Sequence, residues 1–212
     1  MVDIKALRRE YASRSLDEST IDTDPIRQFR TWFDEALRSE ILDANAMALA
    51  TISAEGVPSV RTVLLKDIDP RGLVFFTHYN SPKGNDLLEN ANASLLFYWA
   101  PLERQVRATG EAEKVVPEES DAYFASRPRD SQIAAWAAHQ SSELSDRATL
   151  ERRFEELAAK YEGQAVPRPP DWGGYRVVPI RFEFWQGRPR RLHDRVIYVR
   201  DGDAWRRTRL AP

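Results

Sequence analysis

The chain has 212 residues, with 31 Lys and Arg against 33 Asp and Glu, so its length suits one well-buried domain rather than two. The formal net charge of −2 provides no overall basic field for a nucleic acid. The absence of cysteine excludes disulfides, iron–sulfur clusters and thiolate zinc, and three scattered histidines leave little for a metal site, so we expect no metal.

The first residues, MVDIKALRREY, are charged throughout, and no later apolar run approaches the length of a membrane span. We therefore expect a cytoplasmic protein with neither a membrane nor a nucleic-acid partner. After a short amphipathic piece around Ile4 to Tyr11, the segment ASRSLDESTIDTD indicates a mobile connection, either a plain tail or a lid. The predicted organisation is a mobile segment over residues 1–24 and a single domain over residues 25–212.

A helix is predicted directly after this segment, with Asp24 as its cap and Pro25 at its first position. Apolar residues then recur at helical spacing: Ile26, Phe29, Trp32, Phe33, Ala36 and Leu37. Further helices are predicted at SPKGNDLLEN, PEESDAYFAS, DSQIAAWAAH and SDRATLERRFEELAAKY. They interrupt the strands rather than alternate with them, which argues against a parallel βαβ fold.

Predicted strands occupy most of the remaining chain: AMALATIS, PSVRTVLLK, LVFFTHY, ASLLFYW, RQVRATGEAE, GGYRVVPIRFEFW, RVIYVR and WRRTRL. Short turns such as AEG, DPRG and DGDA join neighbouring strands antiparallel. So many hairpins favour a closed or split barrel, because an open sheet would leave its edges exposed. The predicted fold class is mainly β with peripheral helices.

Arg61 and Lys66 lie five residues apart on one apolar strand. Because side chains alternate along a strand, these two cations would serve two different sites unless a bulge intervenes. The stretch by itself favours a simpler interpretation, in which both are strand-end cations that face water.

The junction around Ser81, Lys83 and Gly84 follows a strand and opens a helix. A phosphate placed there would gain free backbone N–H groups and the Lys83 ammonium. The junction alone favours an ordinary N-cap by Ser81 with Pro82 at the first helical position.

Tyr123, Arg127 and Ser131 are spaced by four residues, but Pro128 disfavours helical geometry at Arg127. We expect one helix to end there and another to begin with Asp130 as its cap. Hydroxyls, a guanidinium and a helix N-terminus could together bind a phosphomonoester, and a plain surface helix-turn-helix explains the spacing equally well.

The stretch RFEFWQGRPRRLHDR gathers cations at the end of an aromatic strand. If RLHDR enters the next strand, Arg191, His193 and Arg195 point to one face. Trp185 and Gln186 lie just before the turn and would line the same pocket. This mixture suits a flat, electron-rich heteroaromatic ligand that carries anionic groups.

The chain resembles the pyridoxine (pyridoxamine) 5'-phosphate oxidases, the FMN enzymes of vitamin B6 metabolism. The matching segments run nearly from end to end: LRREY, TDPIRQF, RTVLLK, FFTHYNSPKG, WAPLERQVRATGEAE, YFASRPRDSQIAAWAAHQSS, FWQGRPRRLHDR and RLAP. The resemblance implies an antiparallel split β-barrel that binds FMN and forms a homodimer, with two FMN sites between the subunits. Pro82 stands where many relatives carry Arg, and Phe76 where Tyr is common, and both changes bear on FMN affinity.

The resemblance also implies roles for individual residues. Arg61, Lys83 and Ser141, with Gln140 beside them, match ligands of the FMN phosphate, and Thr77, Gln105, Trp185 and Arg195 match positions that hold the isoalloxazine and ribityl portions. The remaining cofactor-binding positions are Thr62, Val63, Leu64, Leu65, Lys66 and Phe76. The substrate phosphate would be clamped by Lys66, Tyr123, Arg127 and Ser131. Arg191 and His193 match the catalytic pair over the substrate pyridine ring, and Arg8, Arg9, Glu10 and Tyr11 match a segment that can cover the site.

The implied reaction is the oxidation of pyridoxamine 5'-phosphate or pyridoxine 5'-phosphate to pyridoxal 5'-phosphate by O2, with H2O2 as the second product. One alternative is a flavin oxidase of dihydrophenazine-type aromatics, which needs no clamp on a substrate phosphate. Another is an FMN-binding protein without turnover, since fold alone never assigns activity. A nucleic-acid-binding barrel is disfavoured by the near-neutral charge.

Overall fold

The structure, a computed structural model, describes Asp3, Glu10, Tyr11 and residues 14–212. Most of the predicted amphipathic piece, with Arg8 and Arg9, lies outside the described residues. Helices and strands in the described part are, in chain order, α1 (Pro25–Arg38), β1 (Ala46–Ile52), β2 (Pro58–Leu64), β3 (Asp67–Asp69), β4 (Gly72–His78), α2 (Pro82–Glu89), β5 (Asn92–Trp99), β6 (Arg104–Lys114), α3 (Pro117–Ser126), α4 (Arg129–Ala137), α5 (Arg147–Lys160), β7 (Trp172–Gln186), β8 (Asp194–Asp201) and β9 (Ala204–Leu210).

The strands form one antiparallel sheet with the main order β2-β1-β5-β6-β7-β4-β3. The long strand β7 is its branch point, because its residues 172–177 pair with β4 and its residues 181–186 pair with β8. Strand β6 follows β7 on the other side, with a register shift between Thr109 and Gly110. The branching and the bulge curl the sheet into a half-barrel, and the predicted mainly β split-barrel fold is confirmed.

Helix α1 covers the buried face of the sheet. It begins as predicted, since Pro25 is in its first turn and the Asp24 side chain accepts a hydrogen bond from the Ile26 N–H at 2.8 Å. Its buried aromatic residues Phe29 and Trp32 face the strands. The ring of Trp32 lies edge-on to a sheet phenylalanine at 5.3 Å between centroids.

Helices α3, α4 and α5 pack around the start of β7 in a second apolar cluster. Helix α3 ends at Ser126, and the extended backbone of its C-cap residue Arg127 (φ −71°, ψ 149°) agrees with the break predicted from Pro128. The prediction that Asp130 caps the next helix is wrong. Pro128 itself is the N-cap residue, because its own backbone is non-helical, and α4 begins at Arg129.

The strand predicted to include RLHDR begins later than expected. Residues Pro189–Arg191 form a 3-10 turn, and β8 begins at Asp194. Arg191 has a positive φ of 61°, as does the residue before it, and such left-handed backbone interrupts the alternation of a strand. The prediction that Arg191, His193 and Arg195 share one strand face is therefore wrong. The short strand β3 was not predicted, because its three residues fell between a strand and a turn signal.

Strand β2 lies at one end of the main strand order and exposes apolar side chains. Val60 is 69% exposed and Leu64 is 39% exposed, and Val57 just before the strand is 60% exposed. Exposed apolar side chains on an edge strand are typical of a surface that another chain covers.

Residues 14–24 contact the barrel at several points. Leu16 is buried, and its N–H donates to Asp194 Oδ2 at 3.0 Å. The Tyr198 hydroxyl donates to the Asp22 carbonyl at 2.6 Å. The boundary at residue 24 and the mobility of the segment before it stay predictions.

Two negative findings concern the described residues only. No helix there is long and apolar enough to cross a membrane. The same residues contain no group of three or more His, Asp or Glu side chains that could hold a metal ion.

Candidate active site

A cleft of about 1060 Å³ lies between β2, β4, the start of α2 and the α3–α4 junction. Four cations line it, namely Arg61, Lys66, Lys83 and Arg127, and we call it the cationic cleft. The other predicted site residues in its lining are Thr62, Val63, Leu64, Phe76, Thr77, Tyr123, Ser131, Gln140 and Ser141. Leu65, by contrast, is buried in the hydrophobic core at 4% exposure.

Lys83 is a buried cation whose hydrogen-bond partners are neutral. Its Nζ donates to Gln140 Oε1 at 2.8 Å, Ser81 Oγ at 3.1 Å and Thr77 Oγ1 at 3.2 Å. Burial, helped by the nearby charge of Arg61, lowers the pKa of Lys83 to about 8. Burying an ammonium with no carboxylate beside it costs free energy, so the binding of an anion next to Lys83 is favoured.

The junction at Ser81 differs from an ordinary N-cap. Ser81 occupies the N-cap position and Pro82 the first turn, as predicted, but the serine side chain makes no capping hydrogen bond. Its hydroxyl instead donates to the His78 carbonyl at 2.7 Å and accepts from Lys83. The helix N-terminus of α2 therefore keeps backbone N–H groups available beside the Lys83 ammonium.

Arg61 is held in the cleft by its own neighbours. Its guanidinium donates to Thr51 Oγ1 at 2.6 Å and to Ser59 Oγ at 2.7 Å, and it lies 3.6 Å from Asp86 Oδ2. Lys66 lines the same cleft and is exposed. Strand β2 ends at Leu64, so the side-chain alternation predicted for Arg61 and Lys66 does not extend to Lys66.

Arg127 lies against an aromatic wall at the other end of the cleft. Its guanidinium carbon is 4.7 Å from the centroid of the Trp172 ring. Its Nη1 is buried and has no hydrogen-bond partner among the described residues. Tyr123 stacks on Phe76 with 3.9 Å between ring centroids, and Ser131 is half-buried in the first turn of α4. A buried guanidinium N–H without an acceptor fits an anion that is yet to bind.

The loop after α4 closes the Lys83 side of the cleft. Gln140 accepts from both Lys83 and Thr77, the latter at 3.0 Å. Ser141 has a positive φ of 68°, a conformation that non-glycine residues rarely adopt. Backbone strain of this kind clusters at binding sites, which agrees with the predicted role of Ser141.

A second group of predicted residues lies on the outer face of the sheet, across three adjacent strands. Gln105 on β6 is paired directly with Trp185 on β7, and Trp185 with Arg195 on β8. All three line a cavity of about 370 Å³. We call this surface, defined by Gln105, Trp185 and Arg195, the tryptophan face.

His193 lies beside the tryptophan face, with its ring centroid 4.7 Å from that of Trp185. The Arg188 backbone N–H donates to His193 Nδ1 at 3.1 Å, which assigns the proton of the neutral ring to Nε2. Burial, with the charge of Arg191, lowers the pKa of His193 below its ordinary value, so the ring is neutral at pH 7.

The described part of the N-terminal segment reaches this same surface. The Tyr11 ring is edge-on to Trp185 at 5.7 Å and to His193 at 5.4 Å. Glu10 is exposed, as is Arg191. Arg8 and Arg9 lie outside the described residues.

The predicted site residues thus form two groups within one chain. The cationic cleft and the cavity of the tryptophan face have no lining residue in common. Trp172, which lines the cleft, and Trp185 lie near opposite ends of β7, so the two groups are separated along that strand.

Several charged residues in these surroundings were not predicted. Glu183 is buried among arginines beside the tryptophan face, and Asp86 faces Arg61. His78 lines the cleft, and its Nδ1 lies 3.7 Å from Asp171 Oδ2. The acidic residue inside the apolar run RFEFW was a signal that could have revealed Glu183.

Comparison with protein families identifies two matching models that together cover most of the chain. Residues 33–161 match the family described as pyridoxamine 5'-phosphate oxidase. Residues 172–212 match the pyridoxine 5'-phosphate oxidase C-terminal dimerisation region.

Curated relatives match over nearly their full length. A pyridoxine/pyridoxamine 5'-phosphate oxidase of Rubrobacter xylanophilus is 56% identical over 210 residues, which are 99% of this chain and 97% of the relative. One from Ralstonia nicotianae, named pyridoxine/pyridoxamine 5'-phosphate oxidase 1, is 55% identical over 213 residues and all of both chains.

Solved structures share the fold. PhzG from Burkholderia lata, in complex with tetrahydrophenazine-1-carboxylic acid, has a TM-score of 0.90 and 36% identity, covering 95% of this chain and 99% of that one. An FMN-binding, pyridoxamine 5'-phosphate oxidase-related protein from Nostoc punctiforme has a TM-score of 0.72 at 16% identity, covering 91% of this chain and all of that one.

Proposed function

Because this chain belongs to the pyridoxamine 5'-phosphate oxidase family, we propose that it oxidises pyridoxamine 5'-phosphate or pyridoxine 5'-phosphate to pyridoxal 5'-phosphate. The electron acceptor in this proposal is O2, which is reduced to H2O2, and the amine substrate also releases ammonia. The chain is an oxidoreductase of this family with FMN as its cofactor. Its match to the dimerisation region supports a homodimer.

The residues of the cationic cleft fit the phosphate of FMN. Lys83 is buried with neutral hydrogen-bond partners, Arg61 lies close enough to lower its pKa, and the α2 N-terminus lies beside it. A phosphate dianion would be the negatively charged partner that Lys83 does not have among the described residues. Lys83, Arg61 and Ser141 would therefore hold the cofactor phosphate, with Gln140 orienting Lys83.

The observation that carries the proposal is the buried Arg127 Nη1, which would bind a second anion in the same cleft. Arg127 offers a buried guanidinium N–H with no described acceptor, and it lies with Tyr123, Ser131 and Lys66 in one lining. An enzyme that binds FMN and a phosphorylated vitamer must hold two phosphates. Lys83 with Arg61 would bind one of these phosphates, and Arg127 with Lys66 would bind the other.

When bound, FMN supplies the two-electron redox chemistry, and the chain supplies binding, orientation and electrostatics. Fixing both phosphates would fix how the substrate ring lies relative to the flavin. Such positioning can lower a barrier by up to ~7–11 kcal/mol in the best-oriented cases.

His193 would act on the substrate ring as a neutral hydrogen-bond donor. Its Nδ1 is occupied by the Arg188 N–H, so only Nε2–H is left to meet a ligand. Arg191 would supply a positive charge nearby and stabilise charge that develops on the ring. Neither role needs a covalent intermediate.

The separation of the two residue groups supports a site shared between subunits. One protomer would contribute the cationic cleft, and its partner would contribute the tryptophan face with His193. The exposed apolar side chains of β2, which borders the cleft, are suited to such an interface.

The test is a direct assay of both products. Protein loaded with FMN is incubated with pyridoxamine 5'-phosphate in air, and pyridoxal 5'-phosphate and H2O2 are measured against a control with free FMN. We expect both products in equal amounts. Aldehyde formation no faster than in the control would refute the proposed function.

A second candidate follows from the likeness to PhzG, whose structure holds tetrahydrophenazine-1-carboxylic acid. A flavin oxidase of dihydrophenazine-type aromatics has no phosphate to clamp on its substrate. The grouping of Lys66, Tyr123, Arg127 and Ser131 in one cleft favours the phosphorylated vitamer instead. Supplying a reduced phenazine carboxylate in the same assay distinguishes the two, since we expect turnover only with the vitamer.

A further inference from the structure

Glu183 is a buried carboxylate near the end of β7, and it lines the same cavity as the tryptophan face. Its neighbours Phe182 and Phe184 point to the opposite side, into the hydrophobic core. Glu183 itself is only 4% exposed although it lies on the outer side of the sheet. Arginine side chains from its own strand and from both adjacent strands cover it.

Three arginines share this single carboxylate. Arg195 Nε donates to Glu183 Oε1 at 2.9 Å, and Arg107, directly opposite on β6, donates to Oε2. Arg181 Nη2 lies 3.7 Å from Oε2. Burial acts to raise the pKa of Glu183, but the Arg195 hydrogen bond and the arginine charges outweigh it and hold the pKa below its ordinary value. The carboxylate is therefore ionised at neutral pH.

Of these arginines, Arg195 has a second fixed contact. Its Nη1 donates to the Ala211 carbonyl at 2.8 Å, so Glu183 and Ala211 hold the guanidinium at two different nitrogens. Arg107 and Arg181 are about half-exposed, whereas the Arg195 side chain is 25% exposed. A guanidinium held in this way loses little rotational freedom when a ligand contacts its remaining N–H groups.

We propose that Glu183 is a positioning residue that, with the Ala211 carbonyl, pre-orients Arg195 for the non-phosphate part of the flavin. This inference rests on the proposed function and on the family resemblance, which implies that Gln105, Trp185 and Arg195 hold the isoalloxazine and ribityl portions. Because Glu183 and Ala211 fix the Arg195 guanidinium, the tryptophan face presents hydrogen-bond donors in fixed directions. Such a surface suits the uncharged ring system and ribityl chain, and the cationic cleft is left to bind the phosphate.

The experiment measures flavin binding to apoprotein by fluorescence titration, with FMN and with riboflavin, which lacks the phosphate. Glu183→Gln keeps the shape of the side chain and removes its charge. We expect it to weaken both flavins by the same factor, roughly tenfold, because a charge-assisted contact that orients Arg195 is lost. The matched control is Arg181→Gln, which removes another cation near Glu183 and leaves Arg195 held; both affinities should stay within about twofold.

A double-mutant cycle tests whether Glu183 acts through Arg195. Arg195→Met alone should weaken both flavins, and adding Glu183→Gln to it should cause no further loss. A full additional loss in the double variant would overturn the inference, because Glu183 would then act by another route. Urea unfolding of each apoprotein separates lost affinity from lost stability.

A second variant keeps the proposal falsifiable if Glu183→Gln does not fold. Removing residues 211–212 takes away the other contact of Arg195, and both flavins should again weaken by one common factor. If Arg195→Met weakens flavin binding but neither Glu183→Gln nor the shortened chain does, the positioning role is wrong while the proposed function stands. If Arg195→Met itself leaves both affinities unchanged, the flavin-binding role that the resemblance implies for Arg195 is wrong, and the positioning role of Glu183 is wrong with it.

Discussion

The cationic cleft and the tryptophan face both present positive side chains, but they differ in the hydrogen-bond partners of those side chains. In the cleft, Lys83 bonds only neutral oxygens among its described partners, and one Arg127 nitrogen is buried without an acceptor. On the tryptophan face, Arg195 is bonded to the buried carboxylate of Glu183. Lys83 and Arg127 are therefore available for anions, whereas Arg195 is held as an oriented hydrogen-bond donor.

This difference explains why one ligand would need both surfaces. A flavin mononucleotide combines a dianionic phosphate with a large uncharged ring, and the two parts require different environments. The two surfaces line separate cavities in one chain, so a homodimer offers a way to place them around one ligand.

The strongest test of this comparison uses mixed dimers. Lys83→Met disables the cleft and Arg195→Met disables the face, so each homodimer should be nearly inactive. A heterodimer that carries one variant in each subunit would have one site with both changes and one site with neither. We expect its activity to recover to about half that of the unaltered dimer.

The two chains carry different affinity tags, and tandem purification isolates the heterodimer for the product assay. Activity no higher than that of the two variant homodimers would show that the cleft and the face serve the same subunit.

The next largest effect should come from Lys83→Met alone, measured as flavin affinity. Losing a charge-assisted contact to the phosphate should weaken FMN by roughly ten- to a hundredfold and leave riboflavin unchanged. Arg195→Met is the control, because it should weaken both flavins. Fluorescence titration of apoprotein provides both numbers, and an equal loss for FMN and riboflavin would contradict the charge difference between the two surfaces.

Arg127→Ala tests the second anion position of the cleft. The substrate phosphate is bound alike in the ground and transition states, so we expect KM to rise roughly tenfold or more while kcat changes little. Steady-state kinetics with pyridoxamine 5'-phosphate at full FMN occupancy measure both constants. A fall in kcat with unchanged KM would place Arg127 at the reacting ring instead.

His193 provides the matching test on the tryptophan face, with kcat as the readout. His193→Gln keeps an N–H donor near the Nε2 position, whereas His193→Asn places its amide nearer Nδ1. We expect His193→Asn to lower kcat about tenfold or more and His193→Gln to lower kcat less, because the hydrogen bond donated from the Nε2 position acts on the reacting ring. FMN content is measured in each variant, and equal losses in both would argue against a donor at Nε2.

The smallest predicted effect is the pH dependence of FMN binding. The pKa of Lys83 is lowered to about 8 in the unliganded protein, so Lys83 loses its proton as the pH rises through 8. The phosphate favours charged Lys83, and FMN binding therefore takes up a proton above that pH. Between pH 8 and 9 the FMN affinity should fall by up to about tenfold, while the riboflavin affinity stays flat. The FMN affinity of Lys83→Met should lack this slope.

Much of the fold could be predicted from local patterns. Helix α1 follows from Asp24, Pro25 and the recurring aromatic residues, and the longer strands follow from apolar runs between turn signals. These features depend on neighbours in the sequence, so they are visible without the tertiary structure. The predictions for the start of α4 and for the strand around Arg191 were wrong. One proline and two residues with left-handed backbone override the regular spacing there.

The sequence by itself determined which residues could bind anions and flat rings, since the types at Lys83, Arg127 and Trp185 carry that chemistry. Only the tertiary structure decided how they are grouped. The register of β6, β7 and β8 aligns Gln105, Trp185 and Arg195 in one row, and β7 places Glu183 two residues before Trp185 in the same cavity lining. Which cation meets a carboxylate and which stays uncompensated depends on residues distant in the chain, and only packing brings those charges within hydrogen-bonding distance.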